Sequence, residues 1–168
     1  MNAEQNAFLT MAVPAAQASQ AATGVPASVT IAQAILESGW GRSSLARTAF
    51  NYFGIKAAHF AAPNHYIELP THEVVHGVTV TEEARFARFA DVTEGFKAHG
   101  LLLAQSARYA PAMDVRHDAA QFAAALQKCG YSTNPNYGAL LSKLIHDYDL
   151  AQYDAPPEDC PAKAQAAA

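Results

Sequence analysis

Between Tyr66 and Phe89 the spacing of apolar residues changes period, and that change constrains the fold of this chain most. Thr71 to Val75 and Val78 to Thr81 are rich in β-branched residues and are joined at His76-Gly77, which predicts a hairpin. Arg85-Phe86-Ala87-Arg88-Phe89 alternates polar and apolar, the signature of a half-buried strand. On either side the spacing is helical. Phe8, Met11, Ala12, Ala15 and Ala16 predict an opening helix, with Pro14 either kinking it or starting a second piece, and Gly24 ending it. Pro26 leads into the next helix, and Ser43 to Arg47 suits a short one. Asn51-Tyr52-Phe53-Gly54-Ile55-Lys56 reads as extended. Asp91-Val92-Thr93-Glu94 and Asp118-Ala119-Ala120-Gln121 resemble capping boxes. After Asn134-Pro135, apolar residues at Tyr137, Leu140, Leu141, Leu144, Ile145 and Tyr148 form a helical stripe. The expected class is α+β and mainly helical: a helical domain over residues 1–154 with a β-lobe inserted at about 64–90, followed by a frayed tail over 155–168.

Composition agrees with one domain and narrows its partners. The chain has 168 residues, 51% hydrophobic and 15% charged, enough for a sizeable core. A net charge of −4 argues against binding nucleic acid or an anionic membrane through bulk charge. No segment approaches the ~20 apolar residues of a membrane span, and no basic stretch followed by an apolar run marks a signal peptide. Cys129 and Cys160 have neither metal-ligand spacing nor the density of a disulfide framework. Cys129 reads as a buried free thiol at a helix end, and a Cys129–Cys160 disulfide is the other reading.

The most suggestive single residue is Glu37. The string Ile31-Ala32-Gln33-Ala34-Ile35-Leu36-Glu37-Ser38-Gly39-Trp40-Gly41 is an apolar helix that ends in a carboxylate and breaks at Ser-Gly-Trp-Gly. A carboxyl between a buried helix and an open turn has its charged form disfavoured, which raises its pKa. A general acid working near neutral pH needs that shift. The same residue would serve equally as a helix-end cap or ion-pair partner.

His72-Glu73-Val74-Val75-His76 matches the H-E-x-x-H zinc signature. The chemistry needs both histidines one turn apart on a helix. Pro70, Gly77 and the valines around the motif favour a strand instead. On a strand, residues four apart lie roughly 13 Å from each other at ~3.3 Å per residue, too far to chelate one ion. Thr79 and Glu82 also stand where a longer zinc-protease pattern requires glycine and a third histidine. No metal or other cofactor is expected.

Glu73 has a second reading. Cleaving a glycosidic bond uses one acid to protonate the leaving oxygen. It also uses a second carboxylate, unless the sugar's own acetamido group serves. Glu37 at a helix end and Glu73 on a hairpin could face each other across a cleft. With fifteen acidic residues in the chain, spacing alone does not establish the pair.

Ala32 to Gly41 together with Asn51 to Lys56 resembles the glucosaminidase family of peptidoglycan hydrolases, glycoside hydrolase family 73. That family includes bacterial autolysins, the wall-cutting domain of the flagellar rod-assembly protein and some phage lysins. Thr71 to Gly77, leading to Phe86-Ala87-Arg88-Phe89, resembles its Thr-x-Glu hairpin. Gly130-Tyr131-Ser132-Thr133-Asn134-Pro135-Asn136-Tyr137 resembles its Gly-Tyr-x-Thr-Asp-Pro-x-Tyr segment. The resemblance covers about residues 5 to 153, with the four motifs in the family's order. The resemblance implies a lysozyme-like helical domain that cuts between N-acetylglucosamine and the following N-acetylmuramic acid. Glu37 would be the general acid, and Glu73 would activate water or steady the positive charge on the sugar. Tyr131 would match the family's cleft tyrosine, which orients the acetamido group. Departures are His72 and His76 in the hairpin, Asn134 for Asp, and Cys129 for a small residue.

Asn51, Phe53, Trp40 and Tyr137 complete the expected site as substrate-binding residues, each with a structural alternative. Asn51 suits a loop-holding role as well as sugar binding. Trp40 suits a plug beneath the turn. Tyr52 and Phe53 suit core or cleft, Tyr131 suits a core tyrosine, and Tyr137 suits the buried stripe. The expected partner is the peptidoglycan glycan strand, met by a monomer at the cell wall. Three other readings stay in view. A lytic transglycosylase would use one glutamate, a zinc protease would use the hairpin histidines, and a wall-binding module would have no catalysis. Phage lysin, secreted effector and piece of a larger wall protein are equally compatible origins.

Overall fold

The computed structural model describes residues 1–58, 65–75 and 78–155, with backbone alone at 71–75 and 78–82. Its centre is a helix with no solvent face along most of its length. Helix α2, Ala27–Ser38, buries every residue from Ala27 to Ile35. A helix apolar all round must be surrounded by others. Here α1 (Ala3–Thr23) packs on α2 and on α4 (Val92–Gln105). Helices α6 (Ala119–Lys128) and α7 (Tyr137–Asp147) pack on each other and on α2. Helix α3 (Ser44–Ala49), a 3-10 turn at Ala107–Tyr109, α5 (Ala110–Asp114) and a second 3-10 turn at Leu150–Tyr153 complete the helical part. Ile31, Phe96, Leu103, Phe122, Leu126 and Leu141 form the centre of the core, all fully buried.

The buried polar side chains of α2 are mostly hydrogen-bonded, as burial requires, with Gln33 Oε1 left without a partner among the described residues. Thr30 Oγ1 donates to Pro26 O, and Gln33 Nε2 donates to Tyr137 Oη. Ser28 donates from its N and its Oγ to the two carboxylate oxygens of Asp154, at 2.7 and 2.6 Å. That last contact stands in for an N-cap. Pro26 precedes the helix and has no side chain to accept its first amides. Asp154, 126 positions further along, supplies the acceptor.

Strands β1 (Tyr66–Val75) and β2 (Val78–Ala87) form one antiparallel ladder, from Tyr66 opposite Ala87 to Val75 opposite Val78. The strands run longer than the β-branched runs suggested, and β1 passes through Pro70, opposite Glu83. In a two-stranded sheet each strand has a free edge, where a missing N–H costs no ladder bond. The ladder is tied to the helical part by Ala57 N to Arg85 O and Ala87 N to Ile55 O, both 2.9 Å, and by Phe89 N to Ala49 O at 3.0 Å. His72 and Glu73 lie on β1, so this stretch takes the strand geometry and not the helix a shared zinc ion would need. His76 and Gly77 lie outside the described residues, as do Cys160 and the tail beyond Ala155.

Of the two alternatives at Pro14, the start of a second piece is ruled out. Helix α1 runs unbroken from Ala3 to Thr23 with Pro14 on its exposed face. The burial of Ala12, Ala15 and Ala16 on the opposite face holds the helix through the missing bond.

Candidate active site

Gly39 at the C-cap of α2 has φ 58°, a left-handed conformation that glycine reaches without a Cβ clash. Trp40 follows at φ 64°, unusual for a bulky residue. It is held there by edge contacts with Phe8 (centroids 5.6 Å) and Tyr148 (4.8 Å). Trp40 thus acts as a plug under the turn. The turn leaves Glu37, the last residue but one of α2, at the rim of a cleft of about 430 Å³. Phe53, Lys56, His99, Leu102, Tyr109 and Tyr131 also line it. A second concavity of about 430 Å³ beside α1, lined by Met1, Leu9, Val13, Pro14 and Tyr153 among others, has no carboxylate or histidine in its walls.

The Glu37 carboxylate is held from the buried side. Tyr137 Oη donates to Glu37 Oε1 at 3.0 Å and accepts from Gln33 Nε2 at 3.1 Å. Tyr137 is 2% exposed, so it meets the glutamate from the core and does not line the cleft where a substrate-binding residue was expected. Burial pushes the Glu37 pKa above the usual carboxylate value, and the Tyr137 hydrogen bond pulls part of the way back. The residue as a whole is solvent-exposed, so the desolvation belongs to the carboxyl end packed against the aromatic wall. The other oxygen receives no hydrogen bond among the described residues.

Behind the carboxylate, Tyr131 stacks on Tyr137 with ring centroids 5.4 Å apart. Its hydroxyl lies 3.2 Å from His99 Nε2. Burial first, and then the charge of Glu37, hold the Tyr131 phenol well above its ordinary pKa. His99 is 1% exposed and stacks flat on Phe53, centroids 3.9 Å apart at 14°. Burial drives its pKa down to about 3, so it is neutral at any pH at which the protein would work. Gly130, at φ 70°, turns the chain out of α6 to place Tyr131, and a Cβ there would sit 2.7 Å from Arg108 Nη2.

The remaining expected residues divide clearly. Phe53 lines the cleft and backs His99. Asn51 is buried and holds its loop. It donates to Ile55 O and Ala87 O and accepts from Phe53 N and Ile55 N, so it joins the loop to the hairpin base. Glu73 lies on β1 opposite Val80. Cys129 is half-buried at the C-cap of α6. Sequence reasoning missed His99 and Gln33. Phe96, His99, Gly100 and Leu103 follow the i, i+3, i+4, i+7 spacing of an inward face, and a histidine on such a face was the available signal. No cluster of three metal-ligating side chains occurs among the described residues. None of the described helices is long and apolar enough to cross a membrane.

Known proteins resemble this chain in sequence and in fold. Residues 13–150 match the Glucosaminidase family model, described as mannosyl-glycoprotein endo-beta-N-acetylglucosaminidase. The chain is 36% identical over 132 residues to the exo-glucosaminidase LytG of Bacillus subtilis, covering 76% of this chain and 45% of that protein. It is 36% identical over 140 residues to the peptidoglycan hydrolase FlgJ of Salmonella typhimurium, covering 80% of this chain and 43% of that protein. It therefore spans a little under half the length of these relatives. Among solved structures, the catalytic domain of the autolysin Auto from Listeria monocytogenes superposes with a TM-score of 0.81 at 27% identity, covering 92% of this chain and 89% of that domain. The helical body, the single hairpin and the match over residues 13–150 lead to one conclusion: this chain belongs to the Glucosaminidase family.

Proposed function

We propose that the chain is a peptidoglycan hydrolase that cuts the β-1,4 bond between N-acetylglucosamine and the following N-acetylmuramic acid, with Glu37 as general acid. Its relatives are named as an exo-glucosaminidase and a peptidoglycan hydrolase, which supports the substrate class. The observation that carries the acid's identity is the Tyr137 hydrogen bond to Glu37 Oε1. An oxygen that accepts from a fixed phenol is occupied as an acceptor, so the acidic proton belongs on Oε2. That oxygen is free to approach a leaving sugar oxygen in the cleft. A raised pKa keeps a larger share of Glu37 protonated as pH approaches neutrality.

Glu73 is the second carboxylate in this reading. It sits on the hairpin, an element separate from the one that holds Glu37. Closure of the hairpin over the cleft would bring it toward the sugar face opposite the acid. Tyr131 would bind the acetamido group. The partner is the glycan strand of the bacterial wall.

Digestion of purified cell walls, followed by reduction and mass spectrometry of the soluble fragments, tests the bond assignment. Reducing-end N-acetylglucosamine is expected. Fragments ending in 1,6-anhydro sugar would make the chain a lytic transglycosylase instead, and reducing-end N-acetylmuramic acid would move the cut to the other bond. Wall binding without soluble products would leave a binding module.

A further inference from the structure

Among the described residues His99 has no hydrogen bond to a carboxylate, and it is buried, yet it holds the phenol proposed to bind the substrate. We infer that His99 is a positioning residue: its Nε2–H donates to Tyr131 Oη and so turns the phenol O–H into the cleft, toward the acetamido carbonyl of the sugar. This rests on the glycosidic reaction proposed above and adds a residue to it.

The imidazole ring of His99 has a fixed place. Phe53 covers one face of the imidazole in a near-parallel stack, and the Tyr131 ring meets it nearly edge-on, at 77°. The residue projects from the buried face of α4, beside Phe96 and Leu103. Rotation of the ring is therefore restricted, and Nε2 stays 3.2 Å from the phenol oxygen. A neutral imidazole has one N–H and one lone pair, which leaves two arrangements. If Nδ1 carries the hydrogen, Nε2 accepts the Tyr131 O–H. The phenol then has nothing to donate to a ligand, and a buried N–H is left without an acceptor, since Nδ1 has no protein partner among the described residues. If Nε2 carries the hydrogen, it donates to the phenol oxygen and only a lone pair at Nδ1 goes unmatched. Buried N–H groups without acceptors are rarer than under-used acceptors, so the second arrangement is favoured.

That choice has a chemical consequence. Tyr131 accepts from His99 on its core side, so its own hydrogen points away from His99, on the side where Tyr131 lines the cleft with Glu37. Glu37, when ionised, acts on Tyr131 through its charge. His99, neutral throughout, keeps the geometry constant while Glu37 cycles.

Two measurements test this on the whole chain. The first is nitrogen NMR of ¹⁵N-histidine-labelled wild-type protein. The His99 signal should show the hydrogen on Nε2 and should shift in Tyr131→Phe. A hydrogen on Nδ1 would overturn the inference whatever the enzyme's activity. The second is kinetic, on soluble glycan fragments. His99→Leu should lower kcat by roughly tenfold, the scale of one lost hydrogen bond in the transition state, with KM little changed. His99→Gln, whose amide nitrogen reaches about where Nε2 lies, should recover most of the loss. In a Tyr131→Phe background, His99→Leu should cost nothing further. Equal losses in the Leu and Gln variants, or a full loss persisting in the Phe background, would make His99 a packing residue only. Wild-type kcat in Tyr131→Phe would remove the tyrosine's role and this inference together, while leaving the assignment of Glu37 standing.

Discussion

At residue scale the site depends on the order Gln33, Tyr137, Glu37, in which each donates to the next. The direction of the two bonds decides what a substitution does. Tyr137→Phe removes the donor that favours ionised Glu37, so the Glu37 pKa should rise further. A general acid acts while protonated, and its activity falls as pH rises through its pKa. The alkaline limb of the pH–rate profile should therefore move to higher pH in this variant, while kcat at the optimum drops because Oε1 is no longer held. An unmoved or lowered limb would contradict the assignment. Tyr137→Phe also strands the Gln33 amide, which is fully buried, at a cost of about 1–3 kcal/mol in denaturant unfolding.

At the scale of elements, the caps explain where helices stop and start and how a distant carboxylate contributes. Helix α2 lacks a local cap, and the Asp154 carboxylate accepts from Ser28 N and Oγ in its place. Asp154→Ala should destabilise the protein by about 1 kcal/mol, the ordinary worth of a lost N-cap. Denaturant titration checks this, and an unchanged midpoint would mean the contact does not cap the helix. Such long-range caps mark the limit of what sequence shows. Gly24, Pro26, Asp91 and Asp118 act locally, and each marks its helix boundary in the sequence as in the structure. The hairpin is equally legible, since β-branched residues and a two-residue connection write their geometry into adjacent positions. Glu37 is legible because the apolar helix and the glycine turn lie beside it. Tyr137 reads as core from its stripe, and it is core. Its hydroxyl reaching a glutamate 100 residues away has no local signature. Nor does the continuity of α1 through Pro14, which packing against α4 sustains, nor the pairing of His99 with Tyr131 across 32 positions.

At the scale of the whole molecule, the helical body and the hairpin have unequal duties. Among the described residues, none of the hairpin contributes to the buried core, and the lobe joins the body through backbone bonds at Ile55, Ala57 and Ala49, the Asn51 side chain on Ala87 O and the Lys56 ammonium over the Phe86 ring. Replacing residues 71–82 with a short turn should therefore leave the thermal midpoint within about 4 °C, a shift below ~1 kcal/mol for a domain of this size. Wall-hydrolysing activity should fall with the loss of Glu73. Glu73→Gln separates that carboxylate from the rest of the lobe, and its activity should match that of the shortened chain. Full activity in both would place all the chemistry in the helical body. Glu37 couples stability to the same chemistry. Its pKa is raised on folding, so its contribution to stability is fully present below the ordinary carboxylate value and is lost as pH rises through the folded value. Glu37→Gln stays neutral at every pH and keeps an acceptor for Tyr137. The measurement that bears most directly on the account is therefore Glu37→Gln followed from pH 4 to pH 8 for both wall hydrolysis and thermal midpoint. The prediction is no more than a few per cent of wild-type hydrolysis at any pH, with a midpoint that gains on wild type as pH rises. Hydrolysis well above that level in a folded variant would contradict the claim that Glu37 is the acid.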